Sequence, residues 1–271
     1  MTVRLGLTLP SFRRTLDAPL EIATAADEAG LDAIFAYDHM FRIGSDGHQR
    51  PALECFALLA AVARATRGIA IGSLVIRTSL RPTAVVVAAV RTLEQHAPGR
   101  LMIGLGAGDH ESRPEHEQFG IPFPPLARRI ELLRATRDAL AGGAPDVPVW
   151  IGGRHHLVRN SIDESCAAWN VWGARVIDFA SEGRDVRSRA PEAELTWGGL
   201  VVLGATDDLA RTRAEELGAP PAAITGAPAT VARQLRPYID AGATTLVLGP
   251  VDSSNLDNVA LAAEVRALLQ E

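Results

Sequence analysis

The feature that most constrains this chain is an alternation that runs from one end to the other. Eight short β-rich runs are each followed by helical sequence. The runs are residues 3–9, 33–37, 69–76, 101–105, 147–151, 168–172, 200–203 and 245–248. Helical patterns cover 18–29, 52–66, about 82–96, 126–140, 157–166 and 175–187, then two pieces at 207–217 and 229–241, and finally 257–269. Most of the runs are apolar throughout, as strands buried on both faces are. Strand–helix alternation of this kind implies a parallel sheet. An open doubly wound sheet is the alternative. Eight units within 271 residues favour closure into a single (β/α)₈ barrel spanning residues 1–271.

Composition removes several function classes. Hydrophobic residues make up 47% and charged residues 22%, enough to bury a large core. The net charge of −5 carries no basic block, which argues against nucleic acid as a partner. All 27 basic residues are arginine, so chemistry that needs a lysine Schiff base or lysine general base is excluded. No apolar run reaches the ~20 residues of a membrane span. Cys55 and Cys166 form no metal spacing, and the first residues lack the order of a secretory signal. A cytoplasmic protein acting on a small molecule is expected, and the alanine- and leucine-rich helices suit a homodimer.

In such a barrel the loops that follow the strands carry the chemistry. Six of the seven histidines fall in those loops, after the second, fourth and fifth strands; only His96 lies at the opposite end. Asp38 and His39 close the second strand, where an acid can orient the ring or accept a proton. Either side chain also suits a helix cap. Gly104-Leu-Gly106-Ala107-Gly108-Asp109-His110 closes the fourth, and its glycines let backbone approach a flat ring or a phosphate. Gly152-Gly153-Arg154-His155 closes the fifth and suits an anionic group. Trp169 reads as core, and Trp172 as nearer the mouth. The run from His110 to His116 is not HExxH, and Pro114 is expected to break the helix that motif needs, so no catalytic metal is expected.

The chain resembles the bacterial luciferase-like superfamily of flavin- or coenzyme F420-dependent oxidoreductases. The resemblance rests on an ordered series of segments: LGLTLP at 5–10, EAGLDAIFAYDHM at 28–40, PGRLMIGLGAG at 98–108, FGIPFPP at 119–125, VWIGG at 149–153, WNVWGA at 169–174 and the late DAGATTLVLGP. It implies a luciferase-like TIM barrel and hydride transfer between reduced F420 and a small organic substrate, with FMN-dependent monooxygenase chemistry as the alternative. It further implies catalytic roles for His39 and Asp38, and a proton donor at Asp109. A non-prolyl cis peptide is implied around Ser73, Leu74 and Val75. Cofactor contacts are implied at those three residues, at Gly106, Ala107 and Gly108, at Gly152, Gly153, Arg154 and His155, and at Trp172 and Gly173. Phe41 and His110 would face the substrate, within the variable loops 42–49 and 110–123. Arg154 and His155 stand where more glycine is usual in the family, so Arg154 either pairs with the cofactor phosphate or marks weakened binding. A degenerate member that binds cofactor without catalysis is the second class.

Overall fold

The computed structural model describes residues 2–44 and 47–271. Eight parallel strands close on themselves: β1 (Arg4–Thr8), β2 (Ala33–Ala36), β3 (Ala70–Arg77), β4 (Leu101–Gly106), β5 (Val149–Gly152), β6 (Ala168–Trp172), β7 (Glu194–Leu203) and β8 (Ala243–Pro250). Each pairs with the next, and β8 returns to β1 through Arg4↔Thr245 to Leu7↔Leu248. The outer helices are α1 (Asp17–Glu28), α2 (Cys55–Ala65), α3 (Thr83–His96), α4 (Leu126–Gly143), α5 (Val176–Arg187), α6 (Asp207–Glu216), α7 (Pro228–Asp240) and α8 (Asp257–Gln270). Among the described residues no helix is long and apolar enough to cross a membrane.

The all-apolar strands have two buried faces because the barrel has two cores. Outward residues such as Ile34, Ile71, Ile103, Ile151 and Val171 pack beneath the helices. Inward residues Phe35, Met102, Trp150 and Val247 fill the lumen. The rings of Phe35 and Trp150 lie 5.4 Å apart. Glycines on the neighbouring strands make room for them: a Cβ at Gly72 would lie 2.9 Å from the Phe35 ring and 2.5 Å from the Met102 carbonyl oxygen. The lower lumen is thereby plugged, and the barrel opens at its mouth. At the other end Arg4 pairs with Glu194, and Arg266 with Asp32 at 2.8 Å, closing the barrel floor.

Four local expectations change. Strand β7 begins at Glu194 rather than at 200, and Gly198 and Gly199 lie within it. They leave room for the rings of Trp172 and Trp197, whose atoms would lie 2.6 and 2.4 Å from an added Cβ. The helix expected at 157–166 is one turn, His156–Arg159. The Asp163 carboxylate then takes the Ser165 N–H and hydroxyl and turns the chain away. The loop after β4 contains a 3₁₀ turn, His110–Ser112, and a helix, Arg113–Gln118. Pro114 starts that helix rather than breaking it, since a first-turn proline lacks only an N–H that would go unpaired. A hairpin of Phe41–Ile43 with Gln49–Pro51 also rises after β2. Within the expected substrate loop 42–49, Ser45 and Asp46 lie outside the described residues.

Candidate active site

The C-terminal ends of the strands open into a cavity of about 550 Å³. Loops from opposite sides of the barrel meet there. His39 comes from the β2 end, Leu74 and Val75 from β3, and Gly106 to Asp109 from β4. Gly152 to His155 follow β5, and Trp172 ends β6. Trp169 and Trp172, three residues apart on one strand, face opposite sides. Trp169 is buried against Phe179 under the helices, while Trp172 borders the cavity.

The best-ordered polar group is one that the sequence did not single out. Glu115, on Arg113–Gln118, is only 4% exposed. One oxygen meets His39 Nδ1 at 2.7 Å, and the other accepts the Met40 N–H at 2.6 Å. Arg77, itself buried, donates to both oxygens at 3.0 and 2.8 Å. Burial pushes the Glu115 carboxyl up, but hydrogen bonds from His39, Arg77 and the Met40 amide outweigh it and hold the group down at about 2. An ionised Glu115 accepts only, so His39 Nδ1 must donate. That leaves Nε2 as the nitrogen that can exchange a proton. Phe12, its ring 5.6 Å from the His39 ring, and Tyr37, at 6.5 Å, flank the histidine. Burial pushes the Tyr37 hydroxyl up to about 12, so that wall stays neutral.

Asp38 reaches the cavity wall, but its carboxylate is committed elsewhere. It is 2% exposed, is gripped by both terminal nitrogens of Arg81 at 2.8 and 2.9 Å, and accepts the Arg77 N–H at 2.9 Å. It ties the end of β2 to the end of β3. Two arginines thus engage both of its oxygens, which suits a positioning role better than the proton exchange expected of it. Asp109 is exposed at the rim. Its Oδ1 takes the Ser112 N–H and hydroxyl in a capping box, so its other oxygen is the one left for chemistry.

The glycines at the mouth serve a side chain more than a ligand. The pairing of β3 with β4 shifts register between Ser73 and Ile76, and the Leu74–Val75 peptide is cis, as the resemblance implied. Val75 bulges over the strand ends. A Cβ at Gly106 would lie 2.4 Å from Val75 Cγ2, and one at Gly152 2.5 Å from Cγ1. Both glycines therefore seat Val75, which with Leu74 forms an apolar ledge inside the cavity. Ser73 does not border it: the hydroxyl is fully buried and bonds the Gly104 carbonyl and N–H at 3.0 and 3.1 Å.

The β5 loop also departs from expectation. Arg154 borders the cavity, yet it pairs with Glu182 at 2.9 Å and Asp178 at 3.4 Å, both on α5. Those carboxylates neutralise it before any phosphate arrives. His155 Nδ1 accepts the Leu157 N–H and caps the short helix. Gly173 turns the chain at φ 66° and does not border the cavity. Neither substrate-facing expectation holds. Phe41 is buried against Phe119, with ring centroids 6.4 Å apart, and His110 is exposed outside the cavity. Among the described residues no three His, Cys, Asp or Glu side chains gather in a metal-holding group.

A family profile described as luciferase-like monooxygenase matches residues 3–225. A curated relative from Kribbella flavida, an F420-dependent glucose-6-phosphate dehydrogenase, is 28% identical over 156 residues, covering 55% of this chain and 46% of its own length. The chain thus matches about half the length of that relative. An F420-dependent secondary alcohol dehydrogenase, solved with an F420–acetone adduct, superposes over 100% of both chains with a TM-score of 0.81 at 14% identity. The oxygenating constituent of 3,6-diketocamphane monooxygenase from Pseudomonas putida, solved with FMN, has a TM-score of 0.73 at 15% identity, covering 100% of this chain and 98% of its own. At these identities the two structures share the fold.

Proposed function

Because the chain belongs to the luciferase-like monooxygenase family, we propose that it is an oxidoreductase using coenzyme F420 for hydride transfer, from its reduced form to a small organic substrate or from the substrate to its oxidised form. The observation that carries this is the Glu115-held His39 beside the Leu74–Val75 ledge, within one cavity. The ledge and Trp172 offer the flat apolar surface that a tricyclic ring needs. Gly106 and Gly152 keep the ledge raised, since a Cβ on either would occupy the place of Val75. The ring part of F420 therefore fits these residues. With Arg154 already paired and the Gly153 N–H donated to the Asn170 carbonyl, the amides of residues 154 and 155 are the ones left in this loop to meet a phosphate.

When bound, F420 supplies the hydride chemistry. His39 Nε2 takes the proton of a substrate hydroxyl or returns it, while Glu115 fixes the tautomer. Asp109 exchanges a second proton from the rim. Asp38 and Arg77 position these groups. Curated relatives that the chain matches favour F420 over FMN, since they are named F420-dependent glucose-6-phosphate dehydrogenases. FMN-dependent monooxygenase chemistry is the second reading, supported by the FMN-bound neighbour. We extend the proposal to a cytoplasmic homodimer: both cysteines are free and buried, and Val85 and Ile177 remain exposed on outer helices.

Absorbance titration with F420 and with FMN tests the cofactor. Binding of neither would favour a degenerate member. His39→Ala should keep the fold and abolish F420 reduction across a panel of alcohols and sugar phosphates. Near-normal turnover in that variant refutes the assignment.

A further inference from the structure

The arginines around the mouth differ in one respect. Arg77 pairs with Glu115, Arg81 with Asp38, and Arg154 with Glu182. Arg42 borders the cavity as well, yet among the described residues no carboxylate pairs with it. Its guanidinium instead lies 4.7 Å over the Phe12 ring. Arg13, on the loop after β1, brings a second guanidinium to the same side, held by the Ser254 hydroxyl (Nε at 3.0 Å) and the Phe12 carbonyl at 3.2 Å. Burial, then the like charges of Arg50 and Arg13, push the Arg42 guanidinium below its ordinary range. A cation crowded by cations and stacked on an aromatic ring is poised to take an anion.

We propose that Arg42, with Arg13 beside it, is a subsite for an anionic oxygen group of the substrate, a carboxylate or a phosphate. Phe12 sets the spacing. Its ring centroid is 4.7 Å from the Arg42 guanidinium and 5.6 Å from the His39 ring. The substrate is then a compact acid or phosphate ester whose reacting carbon meets His39 while its anion meets Arg42, within the one cavity that both border with Phe12. This rests on the F420 reading for the reacting end, and the anion itself rests on the arginines alone. The cofactor also carries a phosphate, so the two sources of anion must be separated.

The test uses calorimetry on the full chain. F420 binding to the wild type is measured first, and its absence defeats the cofactor reading without touching the arginines. The F420-loaded protein is then titrated with glycerol 3-phosphate, and with glycerol as the neutral control. Saturable binding of the phosphate ester and none of glycerol is expected, weakening as salt is raised. Arg42→Gln should weaken that binding about tenfold, and Arg42→Lys less, while F420 affinity changes under twofold. Absent binding to the loaded wild type, or equal binding by Arg42→Gln, overturns the proposal. Displacement of F420 by glycerol 3-phosphate, or an equal loss of F420 affinity in Arg42→Gln, assigns the arginines to the cofactor phosphate and overturns it too.

Discussion

Glu115→Gln isolates the charge that orders the site. The substitution keeps the shape of the side chain and removes its negative charge from between His39, the Met40 amide and Arg77. The Glu115 carboxyl is held at about 2 in the folded protein, against 4.5 for the free group. Its folded value is depressed, so its contribution is fully present above about pH 4.5 and is lost as pH falls toward 2. A shift of about 2.5 units corresponds to ~3 kcal/mol at pH 7. Roughly 2 kcal/mol of that is gone by pH 3. Replacement also leaves Arg77, 4% exposed, as a buried cation without its counter-charge, which costs about 3–5 kcal/mol in comparable buried pairs. The variant should therefore be about 3 kcal/mol less stable at pH 7 by urea unfolding, and the gap should narrow to about 1 kcal/mol at pH 3. A gap that stays constant between pH 7 and pH 3 refutes the idea that Glu115 is ionised and central. Glutamine can still accept from His39, but its amide can also donate, so the histidine tautomer loosens. Nitrogen NMR of the His39 ring should then show mixed tautomers where the wild type shows one.

Two other substitutions test the remaining geometry. Gly106→Ala places a Cβ 2.4 Å from Val75, so it should cost about 1–3 kcal/mol of stability and weaken cofactor binding by moving the ledge; thermal melts and F420 titration check both. Arg154→Ala removes a 44%-exposed ion pair, so stability should change by ~1 kcal/mol or less and F420 affinity by under threefold; a loss beyond tenfold would show that the arginine leaves α5 for the phosphate.

The scaffold was readable because closure demands it. A parallel barrel strand is buried on both faces, which writes an apolar run, and its helix must return the chain, which writes the alternation. Reading failed where glycine had two meanings. A glycine pair can end a strand or lie inside one; Gly198 and Gly199 lie inside β7, leaving room for the ring of Trp172 at the mouth and that of Trp197 beneath the helices. The short helix His156–Arg159 failed for a different reason: the Asp163 turn that stops it depends on local side-chain bonds rather than periodicity.

The site was legible to the extent that it sits in loops whose position the fold dictates. His39, Asp109 and the glycines follow strands, and the strands were countable. Glu115 was not legible because nothing in Glu111, Glu115 and Glu117 distinguishes one acid from the others along the chain. Only the fold, which brings position 115 onto residues 39 and 77, makes one of the three the histidine's partner. The same logic explains why Asp38 misled. An acid next to a histidine in sequence points to the opposite side of an extended chain, so adjacency argues against contact. Asp38 turns to Arg81 and Arg77, and the acid that His39 uses comes from across the mouth.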